Sequence, residues 1–380
     1  MKYYLIAGEA SGDLHGSSLM KGIREADKNA VFRCFGGDLM KIQGGTLVRH
    51  YRETAFMGVW KVLMNLRTIT RNLKFCKQDI LDFQPDVIIP IDFPGFNLRI
   101  ARFARNKGFK TFYYISPKVW AWNKKRVKII RETIDKMFVI FPFEVDFYRN
   151  YNVDAEYYGN PVLDAIIEKL DGTGSNSESV FEGLNSGRPV IALLPGSRKQ
   201  EIHYCLPEML AVIPHFPEYQ FIIAGAPALD PSLYDKYTEG HDVRIIYDRT
   251  YDLLKHSAAA VVTSGTATLE TALIMIPEVV CYKMGSVTYY IGKQFVRVRF
   301  FSLVNIIMGK EVVKELLQTG LRTGIIDELK KILFNNGYRQ AMLDNYKKLR
   351  EILGQPGASG RTGRRMVELL KGSRDNKSVL

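Results

Sequence analysis

MKYYLIAGEASGD, residues 1–13, runs an apolar strand-like segment into a glycine-bearing turn and on into a helix-like segment; SGTATLE, residues 264–270, repeats the device after the apolar run 258–263. A strand that feeds a helix through such a turn leaves backbone N–H groups without intrahelical acceptors at the helix start, where they can hold an anion or a sugar hydroxyl. One turn of this kind says little. Two of them, one in each half of a chain with a Gly/Ser/Asn-rich seam at 171–187, predict two nucleotide-binding-type α/β domains facing each other across a cleft.

Working outward from these turns, candidate strands fall at 3–7, 31–35, 87–91, 111–115 and 136–141, and after the seam at 190–194, 219–224, 243–247, 258–263 and 278–282. Amphipathic stretches separate them, and that alternation implies right-handed βαβ units on parallel sheets. A chain of 380 residues exceeds the size at which one core stops growing. The expected organisation is a Rossmann-like domain at 1–170, a linker at 171–187, a second Rossmann-like domain at 188–345, and a helical segment with tail at 346–380, frayed beyond Gly372.

Composition excludes several classes. With 46% hydrophobic and 24% charged residues and no repeat, the chain reads as globular. Its longest apolar runs, 86–91 and 257–262, are far short of the roughly twenty residues that span a bilayer. The N-terminus enters a strand at once and lacks the apolar region and cleavage site of a signal peptide, so a cytoplasmic location is expected. Four cysteines, Cys34, Cys76, Cys205 and Cys281, form no CxxC pair, and six histidines show no HExxH spacing. They read as structural residues, with no metal and no cofactor expected. Fifty-three Lys plus Arg against forty Asp plus Glu give a net charge of +13, which favours an anionic partner: nucleic acid, an acidic membrane face or a phosphorylated substrate.

The second half places its chemistry at strand ends. LLPGSRKQEI, 193–202, ends a strand in Pro195, Gly196 and Ser197 and offers Arg198 at the mouth of a helix, where a guanidinium can fork onto a phosphate; the alternative is a solvated arginine beside an ordinary turn. In SGTATLE, Gly265 and Thr266 open a helix, and Glu270 follows about one turn along. A carboxylate there can accept from ribose hydroxyls, or merely favour the helix dipole. Asn305 stands before a stretch read as helical that carries Glu311, Glu315 and Gln318, polar groups suited to completing a nucleotide pocket.

The first half carries the sharper signal. PDVIIPIDFPGFN, 85–97, is a buried-type strand delivering Asp92 at its carboxyl end, where parallel sheets bind ligands. Flanked by Phe93, Pro94 and Phe96, this carboxylate is expected to be partly desolvated, raising its pKa toward that of a general base. Glu9 and Asp13, in the first turn, are candidates for positioning an acceptor or closing the cleft. ISPKVWAWNKKRVK, 115–128, sets Trp120 and Trp122 beside Lys118, Lys124, Lys125, Arg126 and Lys128, a loop able to stack on a sugar. No RNP strand or GXXG loop accompanies it, so nucleic acid is not the expected partner.

Six segments, GEASGD (8–13), IDFPGFN (91–97), SPKVWAW (116–122), LLPGSR (193–198), SGTATLE (264–270) and SLVN…ELLQ (302–318), stand in the order they hold in lipid-A-disaccharide synthases, and the chain resembles that family over essentially its whole length. The resemblance implies an inverting glycosyltransferase of the two-domain GT-B type. Its donor would be UDP-2,3-diacylglucosamine and its acceptor 2,3-diacylglucosamine 1-phosphate, joined β-1,6 with release of UDP in lipid A biosynthesis. It further implies Asp92 as base or essential carboxylate, Arg198 at the pyrophosphate and Asn305 on the nucleotide side, with Glu270 the ribose partner by analogy with similar GT-B turns. The chain departs from the pattern at Gly95, where the family often has Asp, at Asn160, where it often has His, and at Val304 in place of Pro. The change at Gly95 removes a possible acid–base group, which puts in doubt any scheme needing a second carboxylate there.

Acylated substrates give the basic charge a purpose. Residues 55–77 gather Phe56, Met57, Val59, Trp60, Val62, Leu63 and Leu66, followed by Arg67, Arg71, Lys74 and Lys77 at near-helical spacing. Exposed, this is an interfacial anchor on an anionic membrane, and the expected location is the cytoplasmic face of the inner membrane; buried, it is a core helix with a basic edge. Rival readings are a UDP-sugar 2-epimerase, an N-acetylglucosamine transferase using unacylated donor, and a noncatalytic lipid-binding scaffold. A homo-oligomer is left open.

Overall fold

The computed structural model describes residues 1–53, 66–122, 126–172, 187–285 and 299–378. Thirteen strands are found among them: β1 Lys2–Ala7, β2 Val31–Gly36, β3 Thr46–His50, β4 Val87–Ile91, β5 Phe112–Tyr114, β6 Lys136–Val139, β7 Ala155–Tyr157, β8 Val190–Leu194, β9 Gln220–Gly225, β10 Val243–Tyr247, β11 Ser257–Thr263, β12 Glu278–Tyr282 and β13 Lys314–Leu317. The strands from β1 to β7 make a parallel sheet in the order β3-β2-β1-β4-β5-β6-β7; β8 to β13 make a second, in the order β10-β9-β8-β11-β12-β13. Counted within each sheet, both follow the 3-2-1-4-5-6 order of doubly wound nucleotide-binding folds, with the order reversing between β1 and β4 and between β8 and β11.

The ten strands anticipated from apolar runs are all present. Three more were not anticipated: β3, β7 and β13, each at a sheet edge and each only half-buried. The segment carrying Glu315, read from sequence as helix, is the strand β13: Lys314 to Leu317 pair in parallel with Val279 to Tyr282.

The chain separates into two compact units, Met1–Ala165 with Leu353–Leu380, and Ile166–Ile352. In the first, Tyr4, Ile6 and Ile88 face Cys76, Ile80, Phe96 and Ile100 on one side of the sheet; Leu5, Ala7, Ile89 and Ile91 face Leu19, Ile23, Met366 and Val367 on the other. Burial on both faces explains why central strands read as unbroken apolar runs. All four cysteines are free and buried.

The last helix, Ala358–Ser378, belongs to the first unit and continues to Ser378 rather than fraying after Gly372. It lies so close to the helix Ala10–Ala26 that a Cβ on Gly22 would sit 2.7 Å from the Gly360 Cα, and one on Gly363 would sit 2.6 Å from the Ile23 nitrogen. Its first turn is held by Asp164, whose carboxylate accepts from the N–H groups of Gly357, Ala358 and Ser359 at 2.6, 3.2 and 2.9 Å. A carboxylate at a helix start satisfies orphan donors and opposes the dipole. No helix among the described residues is long and apolar enough to cross a membrane.

Candidate active site

The reversal of strand order puts the loops after β1 and β4 side by side at the carboxyl edge of the first sheet, where doubly wound folds bind ligands. The loop after β1 begins with Gly8 and Glu9; the loop after β4 begins with Asp92 and Phe93. They touch through the Phe93 ring, which lies so near Gly8 that a Cβ there would sit 2.3 Å from ring carbon Cγ, so only glycine admits it.

Asp92 and Phe93 both have left-handed backbone, φ +43° and +48°, and Ile115 at the end of the neighbouring β5 has φ +62°. For non-glycine residues, β-branched ones above all, such a conformation costs about 1–3 kcal/mol each and persists only where surroundings over-determine it. The surroundings are visible. The Asp92 N–H donates to the Tyr114 carbonyl at 3.1 Å. The Asp92 carbonyl accepts from the Asn97 amide at 2.7 Å and from the Tyr113 hydroxyl. Asn97, wholly buried, also reaches the carbonyls of Ile6 and Ile91, tying β1 and β4 to the same point.

The Asp92 side chain is half-buried, and its carboxyl is pushed up to about 6, first by burial and then by the negative charge of Glu9, with Lys118 and the Phe93 N–H pulling the other way. Glu9 caps no helix N–H with its side chain. Asp13 is committed elsewhere. Only 3% exposed, it accepts from the N–H groups of Gly37, Leu39 and Met40 at 2.8, 3.1 and 3.1 Å and so caps the helix Asp38–Ile42, which corrects its expected place at the acceptor.

Trp120 is braced rather than open. Trp120 donates its indole N–H to Glu144 at 3.0 Å and meets the Phe143 ring edge-on at 5.1 Å. Glu144 also accepts from the Ile140 and Phe141 N–H groups, and burial pushes its carboxyl up to about 7. The backbone of Trp122 ends the short helix Val119–Trp122; its side chain, like Lys124 and Lys125, lies outside the described residues.

In the second unit the reversal brings together the loops after β8 and β11, that is, Pro195 to Arg198 and Ser264 to Thr266. Gly196, at φ +104°, leaves room for Glu201: its carboxylate oxygen would lie 2.4 Å from a Cβ there. Glu201 accepts from the N–H groups of Ser197 and Arg198 at 2.9 and 3.2 Å and pairs with the Arg198 guanidinium at 3.2 Å. Glu201 thus occupies the N–H groups of Ser197 and Arg198, just before the helix Lys199–Leu210 begins. The Arg198 side chain keeps 59% of its surface exposed and is free to reach a second anion.

The helix Thr266–Leu273 differs. Its N-cap, Gly265, offers no side chain, Thr266 is exposed, and the first N–H groups of any helix have no intrahelical acceptor. Glu270, one turn in and half-buried, accepts from the Tyr251 hydroxyl at 2.9 Å; burial raises its pKa, opposed by that bond and by Lys169. Asn305 is not open to a nucleotide. Fully buried, its amide donates to the Val313 carbonyl and Glu315 at 2.9 and 2.8 Å and accepts from the Val312 and Val313 N–H groups at 2.7 and 3.0 Å. Glu315 in turn accepts from Phe301 and Ser302, and Gln318 exchanges bonds with the Met284 backbone. The SLVN…ELLQ motif folds a loop onto β13.

Sequence reading missed Tyr113, Ile115, Glu201 and Tyr251. Asn97 stood in a quoted motif, five residues from the carbonyl it holds, and that spacing was the available signal. Among the described residues no group of three or more His, Cys, Asp and Glu is gathered to hold a metal ion. The apolar half of the expected anchor, Phe56, Val59, Trp60 and Leu63 included, lies outside the described residues. Its basic half is the helix Leu66–Phe83, which exposes Arg67, Arg71 and Lys74 and buries Leu73, Cys76 and Ile80.

Comparison with known proteins agrees with this layout. The Methanocaldococcus jannaschii UDP-GlcNAc 2-epimerase, solved in complex with UDP-GlcNAc and UDP, superposes with a TM-score of 0.67 at 12% identity, covering 98% of this chain and 99% of its own, a likeness of fold alone. The lipid-A-disaccharide synthase of Syntrophus aciditrophicus is 39% identical over 97% of this chain and 98% of its own length; that of Geobacter sulfurreducens is 36% identical over 96% of each. The family model described as lipid-A-disaccharide synthetase matches residues 3–363. With a whole-length family match, two close-to-full-length relatives and a pair of Rossmann-ordered sheets of the GT-B class, this chain belongs to the lipid-A-disaccharide synthetase family of UDP-sugar-dependent glycosyltransferases.

Proposed function

We propose that the chain transfers 2,3-diacylglucosamine from its UDP donor to the 6-hydroxyl of 2,3-diacylglucosamine 1-phosphate, inverting the anomeric centre to a β-1,6 linkage and releasing UDP. Displacement with inversion needs a base for the acceptor proton and positive groups for the charge that grows on the departing diphosphate. Asp92 is assigned the first role, with Glu9 beside it setting its proton affinity and facing the acceptor. Arg198 and the N–H groups of Gly265 and Thr266 are assigned the second, and Glu270 accepts from the ribose. The N–H groups of Ser197 and Arg198 are engaged by Glu201, so in that turn the Arg198 guanidinium is the group assigned to the diphosphate.

The observation that carries this reading is Asp92: a half-buried carboxyl at the point of strand reversal, pushed up to about 6 and held on strained backbone. A base poised near neutrality is suited to proton abstraction. The test is to incubate the protein with acylated and unacylated UDP-glucosamine and the 1-phosphate acceptor and to weigh the products. An acylated disaccharide phosphate with equimolar UDP is expected; an epimerised UDP-sugar, transfer of unacylated sugar, or no turnover at all overturns the reading.

The exposed stripe Arg67, Arg71 and Lys74 fits an anionic surface at the cytoplasmic face of the inner membrane. Converting all three to glutamine is expected to release the protein from anionic vesicles in a sedimentation assay.

A further inference from the structure

We propose that Tyr113 is a positioning residue for the transfer reaction, acting through the Asp92 main chain and never on substrate. The inference rests on the reading of Asp92 as base and deepens it. Tyr113 is wholly buried on β5. Its hydroxyl donates to the carbonyl of Asp92, the residue whose carboxylate the reaction uses.

The geometry gives that bond a purpose. Aspartate is one of the few residues that tolerate the left-handed region, but a left-handed phenylalanine directly after it is not favoured, so the pair has to be held. In the extended alternative, the carboxylate would turn with its peptide. Two donors pin the carbonyl, Asn97 from the helix Pro94–Asn106 and Tyr113 from the neighbouring strand; the Phe93 ring, seated against Gly8, locks the next residue. Asn97 has three carbonyls to hold and serves the sheet as well. The Tyr113 hydroxyl spends its proton on the Asp92 carbonyl and meets the Asn97 side chain that holds the same carbonyl, so its removal acts on that peptide both directly and through Asn97.

The experiment is a double-mutant cycle on the full-length enzyme: wild type, Tyr113→Phe, Asp92→Asn and the double variant, each assayed for kcat, KM for both substrates, UDP affinity and melting temperature. Tyr113→Phe is expected to lower kcat about tenfold, leave KM and UDP affinity within twofold, and move the acid limb of the kcat profile down toward the ordinary carboxylate range as Asp92 relaxes toward water. In the Asp92→Asn background the same change is expected to alter residual kcat less than twofold, because there is no carboxylate left to orient. A tenfold loss in both backgrounds, or an unchanged acid limb, assigns Tyr113 to the fold at large and overturns the proposal. So does wild-type kcat in Tyr113→Phe. If Asp92→Asn alone turns over normally, the base assignment fails first and is seen to fail separately. Should Tyr113→Phe melt early, 3-fluorotyrosine at position 113 keeps the ring and the hydroxyl, and wild-type kcat together with an altered acid limb there also counts against the proposal.

Discussion

Replacing Asp92 by asparagine is expected to stabilise the protein while it cuts turnover to a small residual rate. The carboxyl is lifted from 3.8 to about 6, chiefly by burial. At about 1.4 kcal/mol per pKa unit that is a penalty on the folded state of about 3 kcal/mol. A half-buried group is partly screened, and an asparagine amide must be desolvated too, which brings the expected gain to roughly 1–2 kcal/mol. The sign follows from proton linkage: the folded state binds the proton more tightly than the unfolded chain, so the penalty is absent below about pH 4, builds up to about pH 6, and is complete above. The asparagine variant should therefore melt a few degrees higher than wild type at pH 8 and at the same temperature at pH 3.5. Trp120, held in the first unit by Glu144 and the Phe143 ring, reports that unit's unfolding through its fluorescence. A variant no more stable at pH 8, or one whose gain persists at pH 3.5, refutes the picture of a desolvated base.

Three further outcomes are expected. The acid limb of kcat/KM should fall near pH 6, leaving about a tenth of the plateau rate at pH 5, and Glu9→Gln should move that limb lower because it removes the like charge beside Asp92. Asn305→Ala should lower the stability of the second unit by about 3 kcal/mol or more, since it strands several buried backbone groups; wild-type melting with a selectively raised donor KM would instead return Asn305 to the nucleotide. Gly22→Ala should lower the fluorescence-detected melting point by an amount equivalent to about 1–3 kcal/mol, because its methyl has backbone 2.7 Å away, whereas Gly372→Ala, with nothing within 4 Å, should not.

The central strands could be read from sequence because burial on both faces demands unbroken apolar runs such as VIIPI at Val87–Ile91. Edge strands escape that demand. AEY at Ala155–Tyr157 and KELL at Lys314–Leu317 have one neighbour and half-exposed side chains, and KELL has the composition of a helix. The four strand-end motifs were legible for a related reason: chemistry at the reversal points of a doubly wound sheet falls immediately after an apolar run. What a polar side chain does there was not legible. Asp13 turns to N–H groups at Gly37 to Met40, brought near only by the fold; Glu201 turns to Ser197 and Arg198 and Asn305 to Val312 and Val313, neighbours in the chain whose loop geometry apolar patterning does not reveal.

The seating of the final helix against the first one sets the order in which a newly made chain can mature. The second unit is one continuous stretch and has all its strands once residue 352 has been synthesised. The first unit, although made earlier, waits with Leu19 and Ile23 uncovered until Met366, Val367 and Leu370 arrive. On the ribosome the amino-terminal half is therefore the last to close, and a message cut short before residue 358 yields a product whose oldest portion is the sticky one, exposed to chaperones and proteases.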